Sequence, residues 1–413
     1  MSIKNIKDNL KSVKNKRILL RLDLNEEVDS KGKLLDDFRI QAVLPTIRSL
    51  QSQGAKLVIV SHLGRPDGKP DAKLSLEPIA KCLAHCLNYK FVKTDSKLPE
   101  YDVEHVILFT GDIREKDVRE ALENHTSKDI ILLENIRFYP EEEKNSKVFA
   151  KQLSELADVF ISDAFGVSHR KDSSLVGITE YLPSYAGPLL SKELKAMDYL
   201  LSPKVKKPFV LLMGGIKIAD KAKTLANLGK RADKILLAGG LANLFLHAQG
   251  YDVGHHQIDK ESVRYANQLL LNLKSKLVIP KDVVVYSPTK GTGNKIRVKK
   301  LSEIVDTDKI YDIGPETILE FSKVLQTAGT VCWNGPLGYF EEKPFRAGTL
   351  SISKVIGGIG KRKAYVLAGG GETVASIRLS GQFEHFDHVS TGGGAMLSYL
   401  AGDPLPAVEA LKN

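Results

Sequence analysis

Short β-branched runs alternating with helix-like segments constrain this chain more than any single motif does. In the first half the candidate strands are RILLRL (17–22), KLVIV (56–60), HVILF (105–109), DIILL (129–133) and DVFIS (158–162). Helix-like stretches lie between several of them, notably residues 39–53 and 76–88. The second half repeats the pattern with PFVLLM (208–213), KILLA (234–238), DVVVY (282–286), KIYDI (309–313), TVCW (330–333), AYVLA (364–368) and HVS (388–390). A continuous apolar run is a strand covered on both faces, and such runs separated by helices predict a parallel sheet. The expected class is therefore α/β, with two doubly wound, Rossmann-like parallel-sheet domains. At 413 residues the chain is also too long for one ordinary core. The boundary is placed in residues 186–208, a Gly-Pro turn followed by a long helix that joins the domains and a basic, Pro-containing stretch.

Charge narrows the partners. Lys and Arg number 60 against 50 Asp and Glu, leaving +10, which favours anionic ligands without naming them. Lysines are spread along the chain, aromatics make up 7%, and no nucleic-acid motif occurs, so a nucleic-acid module is not expected. No apolar run approaches membrane-spanning length, and the N-terminal MSIKNIKDNLKSVKNKR lacks the apolar core of a signal peptide. The expectation is a cytoplasmic protein with no membrane partner. Cys82 and Cys86 would share one helix face, but the spacing is not CxxC and no ligand cluster stands beside them in sequence. Free thiols are expected there and at Cys332.

Glycine placement carries more information than glycine number. Gly214-Gly215, Gly239-Gly240, Gly369-Gly370-Gly371 and Gly392-Gly393-Gly394 each follow a strand candidate. Open parallel sheets bind ligands at the carboxyl ends of their strands. Glycine there lets backbone N–H groups approach a phosphate, and a following helix N-terminus adds positive potential. Lys217 and Lys221 follow the first pair at a four-residue spacing that aims two ammonium groups at one phosphate chain. The first half places different chemistry at the same edge: Asp23 and Asn25, His62 and Arg65, Arg137, then His169 and Arg170, with Arg39 opening a helix. Four arginines with two histidines suit a small polyanion, because guanidinium pairs with phosphate or carboxylate as a fork. No G-x-x-x-x-G-K-[ST], HRD, DFG or HExxH motif is present, and no G-x-G-x-x-G follows the first strand of either half. His385 and His388 read as structural histidines.

Eight strings then stand together in order: SHLGRP (61–66), ENIRFYPEEEKN (134–145), DAFGVSHR (163–170), GGIKIADK (214–221), DIGPET (312–317), WNGPLGYFE (333–341), GGGET (369–373) and HVSTGGGA (388–395). Each is only suggestive, but the series resembles the phosphoglycerate kinase family from Asp23 to the C-terminal segment. The resemblance implies a phosphoglycerate-binding domain at 1–186, against which 405–413 packs back, and a nucleotide-binding domain at 187–404. It implies transfer of the acyl phosphate of 1,3-bisphosphoglycerate to Mg-ADP, giving 3-phosphoglycerate and ATP, by a monomer that closes about a hinge around 187–201.

By similarity, Asp23, Asn25 and His62 hold the glycerate end, Arg65, Arg137 and Arg170 grip the phosphate that stays, and Arg39 faces the one that moves. Gly214, Gly215, Lys217, Lys221, Gly239, Asn334, Pro336, Gly338, Gly370, Gly371 and Thr373 fall in the nucleotide site, with Glu341 at the ribose. Glu372 is the implied Mg²⁺ ligand, and Arg39, Lys217, Gly371 and Gly394 are the implied catalytic set. The sequence departs from the family at Glu26-Glu27, where Val-Pro is usual; at Ile216, where a small residue is usual; at Ala238, where a third glycine is usual; and at Glu372, where Asp is usual. The carboxylates of Glu26 and Glu27 beside an anion pocket lower its affinity unless they point to solvent.

Overall fold

A computed structural model describes residues 3–95, 98, 103–123, 125–216, 219–288, 295–361 and 363–412. The chain divides into two compact units, Met1–Lys195 with Pro404–Asn413, and Ala196–Asp403. The division falls inside the helix Pro188–Leu201.

In the first unit seven strands form one parallel sheet: β1 (Arg17–Arg21), β2 (Lys56–Val60), β3 (Lys90–Thr94), β4 (His105–Phe109), β5 (Ile130–Leu133), β6 (Val159–Ser162) and β7 (Ser184–Ala186). Their order across the sheet is β3-β4-β5-β2-β1-β6-β7. The five anticipated strands occupy the middle. Every residue of β4 and β5 is buried, as expected for strands covered by helices on both faces. The two strands the sequence pattern does not announce are the edges. β3 is half exposed and β7 is three residues long, so neither carries a continuous apolar run. The C-terminal segment joins this unit: Ala407 donates its N–H to Ser168 O at 3.1 Å and is buried with Ala164, Val167 and Leu175.

The second unit has β8 (Phe209–Met213), β9 (Lys234–Leu237), β10 (Leu277–Val278), β11 (Asp282–Ser287), β12 (Lys295–Lys300), β13 (Lys309–Ile313), β14 (Thr330–Asn334), β15 (Tyr365–Gly369) and β16 (His388–Ser390). Six of them form a parallel sheet in the order β10-β9-β8-β14-β15-β16. DVVVY and KIYDI do not belong to it, which corrects the reading of a single repeated pattern. β11 pairs antiparallel with both β12 and β13 in a separate three-stranded sheet. The connection from β11 to β12 is too short for a crossover helix, so only a hairpin is open to it. β12 is KIRVKK, largely exposed, and its charge hides it from an apolar search. Among the described residues no helix is long and apolar enough to cross a membrane.

Candidate active site

In the first unit the carboxyl ends of β1, β2, β5 and β6 deliver the polar residues to one edge. Gly64 donates its N–H to Asn25 Oδ1 at 2.8 Å, and Leu24 donates to Ser61 Oγ at 3.0 Å, which ties the loops after β1 and β2 together. Asn135, after β5, donates to the carbonyls of Leu63 at 2.7 Å and Leu74 at 2.9 Å. Arg137 Nη1 donates to Gly64 O at 2.6 Å. Three loops are thereby held by buried side-chain-to-backbone bonds.

The cations converge on His62, which is 2% exposed. Its pKa lies well below the ordinary histidine value, first because it is buried and then because Arg21, Arg137, Arg170 and Arg39 repel a proton there. The imidazole is therefore neutral at pH 7. Arg39, in the first turn of the helix Phe38–Gln51, donates Nη1 to Asn25 O at 3.0 Å. Its Nε lies 3.6 Å from Asp23 Oδ2 and its Nη1 3.4 Å from Glu26 Oε2. Arg170 and Arg137 share Glu143, at 2.7 and 3.4 Å. Arg65 is exposed on the loop after β2.

Several buried donors in this group make no hydrogen bond: Arg21 Nη2, Arg39 Nε, Arg137 Nε and Nη2. Arg39 Nε and Arg137 Nε have only the looser ion pairs to Asp23 and Glu143. His62 Nδ1 also lacks a hydrogen-bond partner. A buried guanidinium N–H left unpaired costs the desolvation of a charged group. A multiply charged anion with oxygens to accept these donors removes that cost. Beneath them lies Arg21, fully buried, which the sequence reading passed over inside β1. Its Nε donates to Ser174 Oγ at 2.9 Å, and Ser174 in turn donates its N–H to Glu142 Oε2 at 2.9 Å. Burial pushes Glu142 up to about 7 against the pull of Arg21.

Of the two acidic departures, Glu27 is exposed, but Glu26 is 5% exposed and turned inward. It accepts the backbone N–H of Arg39 and pairs with the Arg39 guanidinium. Burial raises its pKa, and Arg39 opposes that rise.

In the second unit all four glycine clusters follow strands of the parallel sheet. β8 and β14 are neighbours in the middle, where the chain order reverses direction, and such a switch point opens a crevice beyond the strand ends. Gly214 donates its N–H to Asn334 O and Gly215 to Pro336 O, both at 2.9 Å. A Cβ on Gly214 would run into the Pro336 carbonyl, so only glycine permits this approach. Gly335 has φ +90, and its N–H is taken by Thr373 Oγ1 at 2.7 Å. Asn334 Nδ2 donates to Gly369 O at 2.7 Å. Asn334 and Thr373 thus brace the loops rather than face open space.

Lys221 Nζ donates to Gly214 O. Lys217 lies outside the described residues. The helices Gly239–Ala248, Gly371–Leu379 and Gly393–Ala401 all begin at this edge, pointing free N–H groups and the positive ends of their dipoles toward it. Gly370 caps the second of them with φ +103, and Gly394 is exposed in the first turn of the third.

Beside these turns lies a cavity of about 490 Å³, within the range for a nucleoside-sized ligand. Gly215, Gly239, Pro336 and Gly338 form its backbone-rich side, with Glu341 and Glu372 on its walls. Its apolar side comes from Val283, Ile310 and Ile313 of the antiparallel sheet, with Tyr311 and Tyr339. The sequence reading missed this wall because it placed β11 and β13 elsewhere. Asp312, also in the lining, explains Gly338 and Gly348. Its carboxylate fills the place of a side chain at both and accepts the Gly348 N–H at 2.7 Å. Burial pushes Asp312 up to about 7. Glu372 is exposed in the first helical turn, where a carboxylate oxygen meets the requirement of a hard divalent cation.

The chain is similar to known proteins over nearly its whole length. The family model described as phosphoglycerate kinase matches residues 6–403. The chain belongs to the phosphoglycerate kinase family. It is 40% identical over 402 residues to the phosphoglycerate kinase of Pelotomaculum thermopropionicum, covering 97% of each chain. It is 39% identical over 414 residues to that of Coprothermobacter proteolyticus, covering 100% of this chain and 99% of the relative. The solved structure of phosphoglycerate kinase from Pyrococcus horikoshii OT3 superposes with TM-score 0.84 at 31% identity, over 99% of this chain and 98% of that one. The Coxiella burnetii structure superposes with TM-score 0.78 at 34% identity, over 97% of each. Membership makes the chain a phosphotransferase with phosphoglycerate and nucleotide substrates, as the resemblance of the eight strings implied.

Proposed function

We propose that this phosphoglycerate kinase family member transfers the acyl phosphate of 1,3-bisphosphoglycerate in line to ADP, and runs in reverse from 3-phosphoglycerate and ATP. The observation that carries the residue assignment is the set of buried guanidinium donors without hydrogen bonds around the neutral His62. Arg65, Arg137 and Arg170 take the phosphate that stays. Asp23, Asn25 and His62 orient the glycerate. Arg39 faces the acyl phosphate and stabilises charge on its equatorial oxygens.

On the other side of the reaction, the turn at Gly214 and Gly215, whose own N–H groups are spent inside the protein, lets the phosphate chain approach closely. The N–H groups of Gly239, Gly370, Gly371 and Gly394 and the ammonium groups of Lys217 and Lys221 cradle the nucleotide phosphates. Pro336, Gly338 and Glu341 border the base and ribose, and Asn334 and Thr373 hold the turns in place. The nucleophile is a phosphate oxygen that is already ionised, and the departing carboxylate needs no proton. The residues accordingly supply position and charge rather than a general base. Glu372 is the residue we assign to Mg²⁺, which neutralises phosphate charge when bound with the nucleotide. Its side chain is one methylene longer than the Asp usual in the family, and we expect it to keep the metal requirement.

The same reading makes the protein a cytosolic monomer, the latter checked by light scattering after gel filtration. The deciding experiment is a coupled steady-state assay with ATP, Mg²⁺ and 3-phosphoglycerate on the wild type and on Arg39→Ala and Lys217→Ala. Loss of roughly 10²-fold or more in kcat is expected when a charge-stabilising donor is removed. Unchanged turnover in both variants, or full activity in excess chelator, overturns the assignment.

A further inference from the structure

Outside both subsites, the N-terminal end of the helix Phe38–Gln51 meets the helix Glu77–Leu87 at a cluster of thiols and a carboxylate. Asp37, Cys82 and Cys86 each present a ligand atom within 4.8 Å of the other two, and all three residues are half-buried. The two sulfurs, one helical turn apart, are in hydrogen-bonding contact.

The carboxylate is held in this cluster. Asp37 occupies the N-cap position of its helix but its side chain makes no capping bond. The backbone N–H of Phe38 goes to Asp36 Oδ1 at 2.9 Å, and that of Arg39 goes to Glu26. Asp37 instead accepts from Gln41 Nε2 at 2.9 Å through Oδ2, and the same amide nitrogen lies 3.3 Å from Cys86 Sγ. One side-chain amide therefore braces two of the three candidate ligands, the role partners of metal ligands commonly play.

The charged groups nearest the sulfurs include two carboxylates, Asp37 within the cluster and Glu26 beside it. We propose that Asp37, Cys82 and Cys86 form a binding site for one thiophilic divalent cation of the zinc type, with water completing a tetrahedral shell. Two thiolates and one carboxylate suit such an ion. Zinc–sulfur bonds of about 2.3 Å put tetrahedral ligand atoms roughly 3.5–4 Å apart. The observed ligand atoms, all within 4.8 Å of one another, are near that spacing.

The test is a Cd²⁺ titration of the full-length protein, read by ultraviolet cadmium–thiolate absorption and by cadmium NMR, with Zn²⁺ as competitor. The chain has three cysteines, and Cys332 is buried in β14, so the thiolate signal belongs to this pair. The expected result is saturation at one Cd²⁺ per chain, reversal by Zn²⁺, and an NMR shift typical of two sulfur ligands. Cys82→Ser and Cys86→Ser should each weaken binding at least tenfold, and Asp37→Asn several-fold with the two-sulfur spectrum retained. Absence of thiolate absorption at one equivalent in the wild type overturns the proposal without reference to any variant. Equal affinity in the Cys82→Ser/Cys86→Ser double variant overturns it as well.

Discussion

Glu26 holds Arg39 from two sides in the free protein, by its backbone N–H and by its guanidinium. Any phosphoryl oxygen that Arg39 receives must compete with that carboxylate. Glu26→Gln keeps an oxygen for the backbone N–H while removing the charge. It should lower KM for 3-phosphoglycerate by roughly three- to tenfold, the scale of one ion-pair interaction, with little change in melting temperature. Steady-state kinetics of the variant check this, and an unchanged or higher KM would show that Glu26 does not compete. A second residue sets a pH response. Asp163 accepts from Thr46 Oγ1 and from Leu190 N at 2.7 Å, yet burial pushes it up to about 6. Its native form therefore binds a proton more tightly than the unfolded chain does. The associated stability is fully present below about pH 4, the unfolded value, and is lost as pH rises through about 6. A rise of that size in one carboxyl group corresponds to at most about 3 kcal/mol. Melting temperatures of wild type and Asp163→Asn between pH 4 and 7.5 should diverge accordingly, with the wild type falling more steeply as pH rises.

Glycine turns separate stability from ligand approach at the scale of single elements. In the turn after β14, Gly335 has φ +90, and a Cβ there would meet the Gly214 carbonyl. Gly335→Ala should lower the melting temperature and weaken nucleotide binding together. At Gly371, the start of its helix, a Cβ meets nothing within 4 Å. Gly371→Ala should leave the melting temperature within a degree or so while raising KM for the nucleotide about tenfold or more, because the methyl intrudes only where phosphate approaches. Equal nucleotide KM in that variant would remove Gly371 from the site. These turns were legible in the sequence because a strand ending in Gly-Gly has few other meanings, and the buried central strands were legible because both their faces are apolar. β3, β7 and β12 were not, being short, half-exposed or charged. Arg21 was hidden for the opposite reason. An arginine in RILLR gives no sign that Ser174 and Glu142, more than a hundred residues away, will receive it in the core.

The residues we propose for the two substrates fall on separate compact units. The arginines around His62 belong to Met1–Lys195, and the cavity beside the glycine turns is lined by residues of Ala196–Asp403. Periodicity alone predicted two units, but it read the second as a copy of the first. It missed the antiparallel sheet that supplies the apolar wall of the cavity, because β11 and β13 have the same apolar texture as parallel strands. The proposed in-line transfer needs the reacting oxygens near van der Waals contact. We expect binding energy from both ligands to drive closure, which would also exclude the water that hydrolyses an acyl phosphate. Small-angle scattering should therefore show a smaller radius of gyration with 3-phosphoglycerate and a non-hydrolysable Mg-nucleotide together than with either one. Arg39→Ala, which removes the cation we assign to the acyl phosphate, should reduce that compaction while leaving nucleotide affinity unchanged. Full compaction with nucleotide alone, or none with both ligands, would mean that the two half-sites are brought into register by something other than their ligands.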